Sequence, residues 1–164
     1  MCKLVLEHYR FIKEMSELSA AEFRDFVFGI SPAAYSAFKN KGIESVRNII
    51  AAYVTIIEKC LQAMKDKYKN SQDLKRKEIR VNNDIIRLLY INKKRLTVRQ
   101  IAIKAGINES HFCRYHVRAL EYFAEIFKVT AKRLGYGNTF INKDVRVIEL
   151  MRLHNIAQNI QKIA

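Results

Sequence analysis

Apolar residues recur at helical spacing along most of the chain. In residues 3–17 they fall at Leu4, Val5, Leu6, Tyr9, Phe11, Ile12 and Met15, predicting a short amphipathic helix. Ser19 followed by Glu22 reads as a capping box opening a second helix. Its apolar face is Phe23, Phe26, Val27 and Phe28, and Gly29 should stop it. Ser31 and Pro32 are a further start signal, for a short helix over residues 33–41 that Gly42 ends. From residue 44 to 68, Val46, Ile49, Ile50, Tyr53, Ile56, Ile57, Cys60, Leu61 and Met64 form the broadest apolar stripe of the amino-terminal half. That stripe predicts a long helix, acting as the spine of this half or as a dimer seam.

Residues 65–83 are polar and densely charged, and predict a frayed helix end followed by a basic linker over 71–83. A phosphate-tracking arm is the other reading of this cluster. A helix over 84–92 turns Ile85, Leu88, Leu89 and Ile91 inward, and Leu96-Thr97 reads as a stub strand. Residues 97–123 then read as two helices joined by a tight turn. Ile101, Ala102 and Ala105 share one face, and Gly106 stands where a helix end wants φ > 0. Ile107 plugs the turn and Asn108 caps the next helix. The inward face of that helix is Phe112, Tyr115, His116, Ala119, Leu120 and Phe123.

After Glu125 the pattern changes. Residues 126–134 are rich in β-branched and apolar side chains, residues 135–138 carry a turn signal, and 139–142 are a second short β-type run, which together predict a β-hairpin. A last amphipathic helix over 144–162 is capped by Asp144, with Val145, Ile148, Met151, Ile156, Ile160 and Ile163 on its apolar side.

The spacing Ala102, Gly106, Ile107, Phe112 resembles the helix-turn-helix of DNA-binding proteins. The order helix, stub strand, helix, turn, helix, hairpin over residues 84–143 resembles the winged-helix family. The fold this implies is mainly α: a helical amino-terminal half over 1–70, a basic linker over 71–83, a winged-helix module with one β-hairpin, and a carboxy-terminal helix over 144–164. A second, local likeness covers residues 30–50. Tyr35, Phe38, Lys39, Gly42, Ile43, Ser45 and Val46 resemble the first helical unit of the RNA polymerase α-subunit carboxy-terminal domain. The arginine and asparagine with which that family contacts DNA would fall at Ala33 and Ser36, so the likeness is one of helix packing, not of function.

Charge narrows the partner. The chain of 164 residues carries a net +14, with 15 Lys and Arg against 10 Asp and Glu in residues 1–80 and 15 against 6 in residues 81–164. The excess concentrates in the half that holds the helix-turn-helix, which points to nucleic acid in preference to a membrane surface. No apolar run approaches the ~20 residues that span a bilayer. Glu7, Arg10 and Lys13 near the amino terminus are unlike a signal peptide. Cys2, Cys60 and Cys113 form neither a disulfide framework nor a zinc pair, and are expected as reduced thiols of a cytoplasmic, nucleoid-associated protein. Six scattered carboxylates after residue 83 and four histidines without ligand spacing (His8, His111, His116 and His154) predict no enzyme, no metal and no cofactor. His116 is expected to be a satisfied core histidine.

The resemblance assigns base reading to the exposed face of the second helix and its approach: Asn108, Ser110, His111, Cys113, Arg114, Val117 and Arg118. Lys93, Lys94, Arg95, Thr97, Arg99 and Lys104 are expected to hold phosphates, with Lys128, Lys132, Arg133 and Tyr136 reaching the backbone from the wing. The expected partner is double-stranded DNA, bound sequence-specifically by a homodimeric transcription regulator whose amino-terminal half can also dock a protein. A replication or mobile-element initiator is the second reading. A winged-helix protein-interaction module is the third.

Overall fold

The computed structural model describes residues 2–30 and 42–136, and among them every regular element is helical. In chain order these are α1 (Cys2–Glu7), α2 (Tyr9–Glu17), α3 (Ala20–Ile30), α4 (Ile43–Lys69), α5 (Asp73–Ile86), α6 (Val98–Ala105) and α7 (Phe112–Arg133). A π turn, Arg87–Ile91, extends α5, and a 3-10 turn, Glu109–His111, leads into α7. The expected helix at 33–41, the run at 139–142 and the helix at 144–162 lie outside the described residues.

The chain divides into two compact units. Among the described residues, one holds 11–30 and 42–54, and the other holds 2–10 and 55–136. In the first, the Ser19 box closes as expected. Glu22 Oε2 accepts from the Ser19 N–H at 2.9 Å, and Ser19 Oγ accepts from the Glu22 N–H at 3.3 Å. Arg47 Nε donates to the Leu18 carbonyl at 3.0 Å. Phe23, Val27, Val46 and Ile50 are buried. α3 is described as far as Ile30, one residue past Gly29, and buried Phe23 and Val27 anchor it.

The second unit is built on α5, which packs against both α6 and α7, while α1 packs against α7 and the π turn. Here the chain departs from the expected linker. Residues 73–83 are helix, because Val81, Asn82, Asn83, Ile85 and Ile86 make a buried side under the charged one. Asn83 Nδ2 donates to the Met64 carbonyl at 3.1 Å and Arg87 Nη2 to the Leu61 carbonyl at 3.3 Å, tying α5 to α4. Arg76 reaches back to the carbonyls of Tyr68 and Lys69, satisfying the end of α4.

The larger correction falls on the hairpin. Residues 126–133 are the last two turns of α7, not a strand. Ala119, Phe123, Ile126, Phe127 and Ala131 are buried at helical period on one stripe, and that stripe packs along α5. Packing overrides the β propensity of Ile126, Val129 and Thr130. The turn signal at Gly135 belongs to a helix end. Gly135 has φ +78°, its N–H donates to Lys132 and that of Tyr136 to Ala131, which is a Schellman closure. Leu96-Thr97 is likewise extended backbone before α6 and pairs with no strand among the described residues.

Candidate nucleic-acid interface

Thr97 opens α6 with a reciprocal box. Its Oγ1 accepts from the Gln100 N–H at 3.3 Å and Gln100 Oε1 accepts from the Thr97 N–H at 3.0 Å. The amides of Val98 and Arg99, one and two residues in, have no acceptor within the helix. Ile101, Ala102 and Ala105 are buried as expected. Gly106 takes φ +68°, and the Ile107 N–H donates to Ala102 at 3.0 Å, so α6 ends in the same kind of closure as α7. Asn108 then caps the 3-10 turn, its Oδ1 accepting from the backbone and hydroxyl of Ser110 at 3.0 and 2.9 Å.

These local choices set α7 with one side in the core and one side open. Phe112, Ala119 and Phe123 are buried, and Tyr115, His116 and Leu120 are partly so. All the residues expected to read bases are exposed: Asn108, Ser110, His111, Cys113, Arg114, Val117 and Arg118. Arg114 and Arg118 lie one turn apart on the open side, with Cys113 and Val117 beside them, and Val117 is 53% exposed. Asn108 is the exception in chemistry, since its carbonyl oxygen is engaged in its own turn.

The phosphate set divides in two. Lys93, Lys94, Arg95, Thr97, Arg99 and Lys104 are exposed on the loop before α6 and on α6 itself. Lys128, Lys132 and Arg133 are also exposed, but on the far turns of α7. Lys128 is about 21 Å along the axis from Arg114, at ~1.5 Å per residue. These three residues do not form a finger beside the helix; Lys132 and Arg133 complement the negative end of α7. Tyr136 is half-buried, and its amide closes α7.

Two contributors were not foreseen. Arg80, assigned to the linker, has its guanidinium at the helix-turn-helix turn: a Cβ on Gly106 would sit 3.6 Å from Arg80 Nη2. Reading residues 71–83 as helix would have placed it there. The other is Tyr90, whose hydroxyl meets His116 Nε2 at 2.6 Å. Tyr90 sits in the π turn, where the Asn92 N–H donates to the Arg87 carbonyl at 2.8 Å, and no sequence signal marks that extra residue. Phe112 stacks on the same imidazole at 5.7 Å. Burial, and then the charge of Lys3, holds His116 below its ordinary pKa, with Glu7 opposing. Burial, and then Glu7, pushes Tyr90 up to about 12, so its hydroxyl keeps its proton.

Among the described residues no three of His, Cys, Asp and Glu are placed to hold a metal ion, and no helix is long and apolar enough to cross a membrane. The chain matches no protein-family model, no curated protein and no solved structure.

Proposed function

We propose that the chain is a sequence-specific double-stranded DNA-binding protein that regulates transcription in the cytoplasm. The first turns of α7 enter the major groove, and the loop 92–97 with α6 holds the flanking backbone. The observation that carries this reading is the open face of α7: Arg114 and Arg118 exposed on a helix set by the Gly106 turn, next to six exposed residues suited to phosphate. A groove about 12 Å wide admits such a helix, and an arginine there can pair with guanine O6 and N7. The net +14 supplies the long-range attraction. Lys128, Lys132 and Arg133 meet backbone only where α7 runs along the groove.

The test is selection of bound fragments from a random duplex pool at physiological salt. One enriched motif is expected, and Arg114→Ala should relax specificity at one position by about 1–3 kcal/mol. If Lys93, Lys94, Arg95, Arg99 and Lys104 each neutralise one phosphate, log K should fall with log salt at a slope of roughly −4.5. Should the chain act as a homodimer, the motif will be an inverted repeat with half-sites about one helical turn apart. Protein that shifts no duplex even at low salt would overturn the reading.

A further inference from the structure

The loop before α6 and the open face of α7 are tied to each other from behind. Tyr90, in the π turn, is buried, and its hydroxyl meets His116 Nε2 at 2.6 Å. Phe112 stacks on the same imidazole at 5.7 Å. His116 is two residues from Arg114 and two from Arg118. That is about 200° around the axis from each, so the imidazole stands on the anchored side of α7, at their back. From Tyr90 the chain runs straight into the loop. The Asn92 N–H donates to the Arg87 carbonyl at 2.8 Å, which closes the π turn, and Asn92 Nδ2 donates to the Lys94 carbonyl at 3.1 Å. Lys93, Lys94 and Arg95 are then exposed.

Phosphate contacts set the register of a protein on a duplex, and base contacts read the sequence within that register. Reading therefore needs the two sets held in a fixed relation, to within about 0.5 Å. The Tyr90 and His116 pair crosses directly from the turn that launches the loop to the helix that carries the arginines. We propose that Tyr90 is a positioning residue for sequence recognition, an inference that rests on the DNA-binding reading above. Its hydroxyl fixes α7 against the loop, so that Arg114 and Arg118 reach base edges while Lys93, Lys94 and Arg95 hold the backbone. Tyr90 is itself buried and touches no DNA. Turns of the π type are frequent at functional sites, and here the turn sets Tyr90 against α7.

The experiment uses the full chain and two duplexes of equal length, one carrying the motif that selection returns and one with that motif scrambled. The readout is the ratio of the two affinities, for wild type, Tyr90→Phe, His116→Phe, the double variant and Tyr122→Phe. Tyr122 is the control, since its hydroxyl lies on the same helix, sealed and without a hydrogen-bond partner. Tyr90→Phe and His116→Phe should each lower the ratio about 2- to 10-fold, the worth of one side-chain hydrogen bond. The double variant should fall no further than the larger single loss, because both remove one contact. Salt slopes on the scrambled duplex should stay at the wild-type value, since no phosphate contact is lost. A variant that only unfolds loses affinity for both duplexes alike and leaves the ratio unmoved, and His116→Phe tests the same contact from the other side. A ratio unchanged in Tyr90→Phe, or lowered as far in Tyr122→Phe, overturns the positioning role and leaves the DNA reading standing. Selection that returns no motif overturns both.

Discussion

The two long helices, α4 and α7, share a period and differ in what they leave open. On α4, Ala52, Tyr53, Val54, Ile56, Ile57, Cys60 and Leu61 are buried, several of them consecutive, so this part of the helix is covered on most of its circumference. On α7 the buried residues keep to one stripe, and Val117 and Val129 are left more than half exposed among charges. The stripe read as a spine or a dimer seam is thus covered within a single chain. The side of α4 that stays open is a single polar one, Thr55, Glu58, Lys59 and Gln62. A helix with one stripe anchored has a rigid, wet side, as recognition requires.

The largest effects test where each helix is anchored. Phe123→Ala removes a side chain with no exposed surface and should cost about 3–5 kcal/mol, and Ile57→Ala about 2–5 kcal/mol. Val117→Ala should stay within about 0.5 kcal/mol. Urea unfolding at one pH measures all three. Comparable losses at Val117 and Phe123 would mean that α7 has no open side, and the contrast with α4 would collapse.

Next come the glycine closures. Gly106 and Gly135 both have φ near +70 to +80°. An alanine in that region strains the backbone by about 1–2 kcal/mol. At Gly135 no atom lies within 4 Å of the new Cβ, and at Gly106 Arg80 Nη2 is in ordinary contact at 3.6 Å. Both costs should therefore be backbone strain, similar in size and readable as lowered urea midpoints. Gly106→Ala should also weaken duplex binding, because it alone alters the angle at which α7 is presented. A binding loss as large for Gly135→Ala would show that the far end of α7 matters as much as its start.

These glycines also show what the sequence could and could not disclose. Gly106 followed a buried helical stripe and was legible as a helix end. Gly135 carried the same information, but the β-branched residues before it suggested a strand, so a helix cap was read as a hairpin turn. The periodicity that would have settled it was present: Phe123, Ile126, Phe127 and Ala131 continue the stripe of Ala119 without a breaker. The helix at 73–86 was hidden for a related reason. Its apolar side is short, and two of its buried residues are asparagines, one of which pairs with a backbone carbonyl on α4. The π turn depends on tertiary packing that no local pattern encodes. The exposed side of α7 at Cys113, Arg114, Val117 and Arg118 was legible almost whole, because one helical period fixes both sides of a helix at once.

A smaller effect belongs to the start of α6. Thr97→Ala removes the hydroxyl that accepts from Gln100 and should cost about 1 kcal/mol. Thr97→Ser should recover most of it, as thermal or urea unfolding of the three proteins would show. The pair Thr97 and Gln100 fits the capping-box spacing as well as Ser19 and Glu22 do. If Thr97→Ala leaves stability unchanged while reducing affinity, the hydroxyl serves phosphate rather than the cap.

The smallest effect is expected from pH, because His116 is only partly buried and solvent screens it. Its Nε2 lies 2.6 Å from the Tyr90 hydroxyl, and only a neutral ring has a free nitrogen to accept a proton there. The groups around it are Tyr90 from the π turn, Phe112 one turn earlier on α7, and Lys3 and Glu7 from α1. Burial and Lys3 lower its pKa in the folded chain, so the unfolded chain takes up the proton first as pH falls. The contribution is complete above the ordinary histidine pKa, near 6.5, and declines below it until the folded pKa is passed. Wild-type protein should therefore lose stability between about pH 7.5 and 5.5 relative to His116→Gln, which keeps a polar side chain at the site but does not titrate. A difference between the two that is flat over that range would mean the imidazole is as easily charged in the fold as out of it. The anchored side of α7 would then be wetter at its first turns than the contrast with α4 requires.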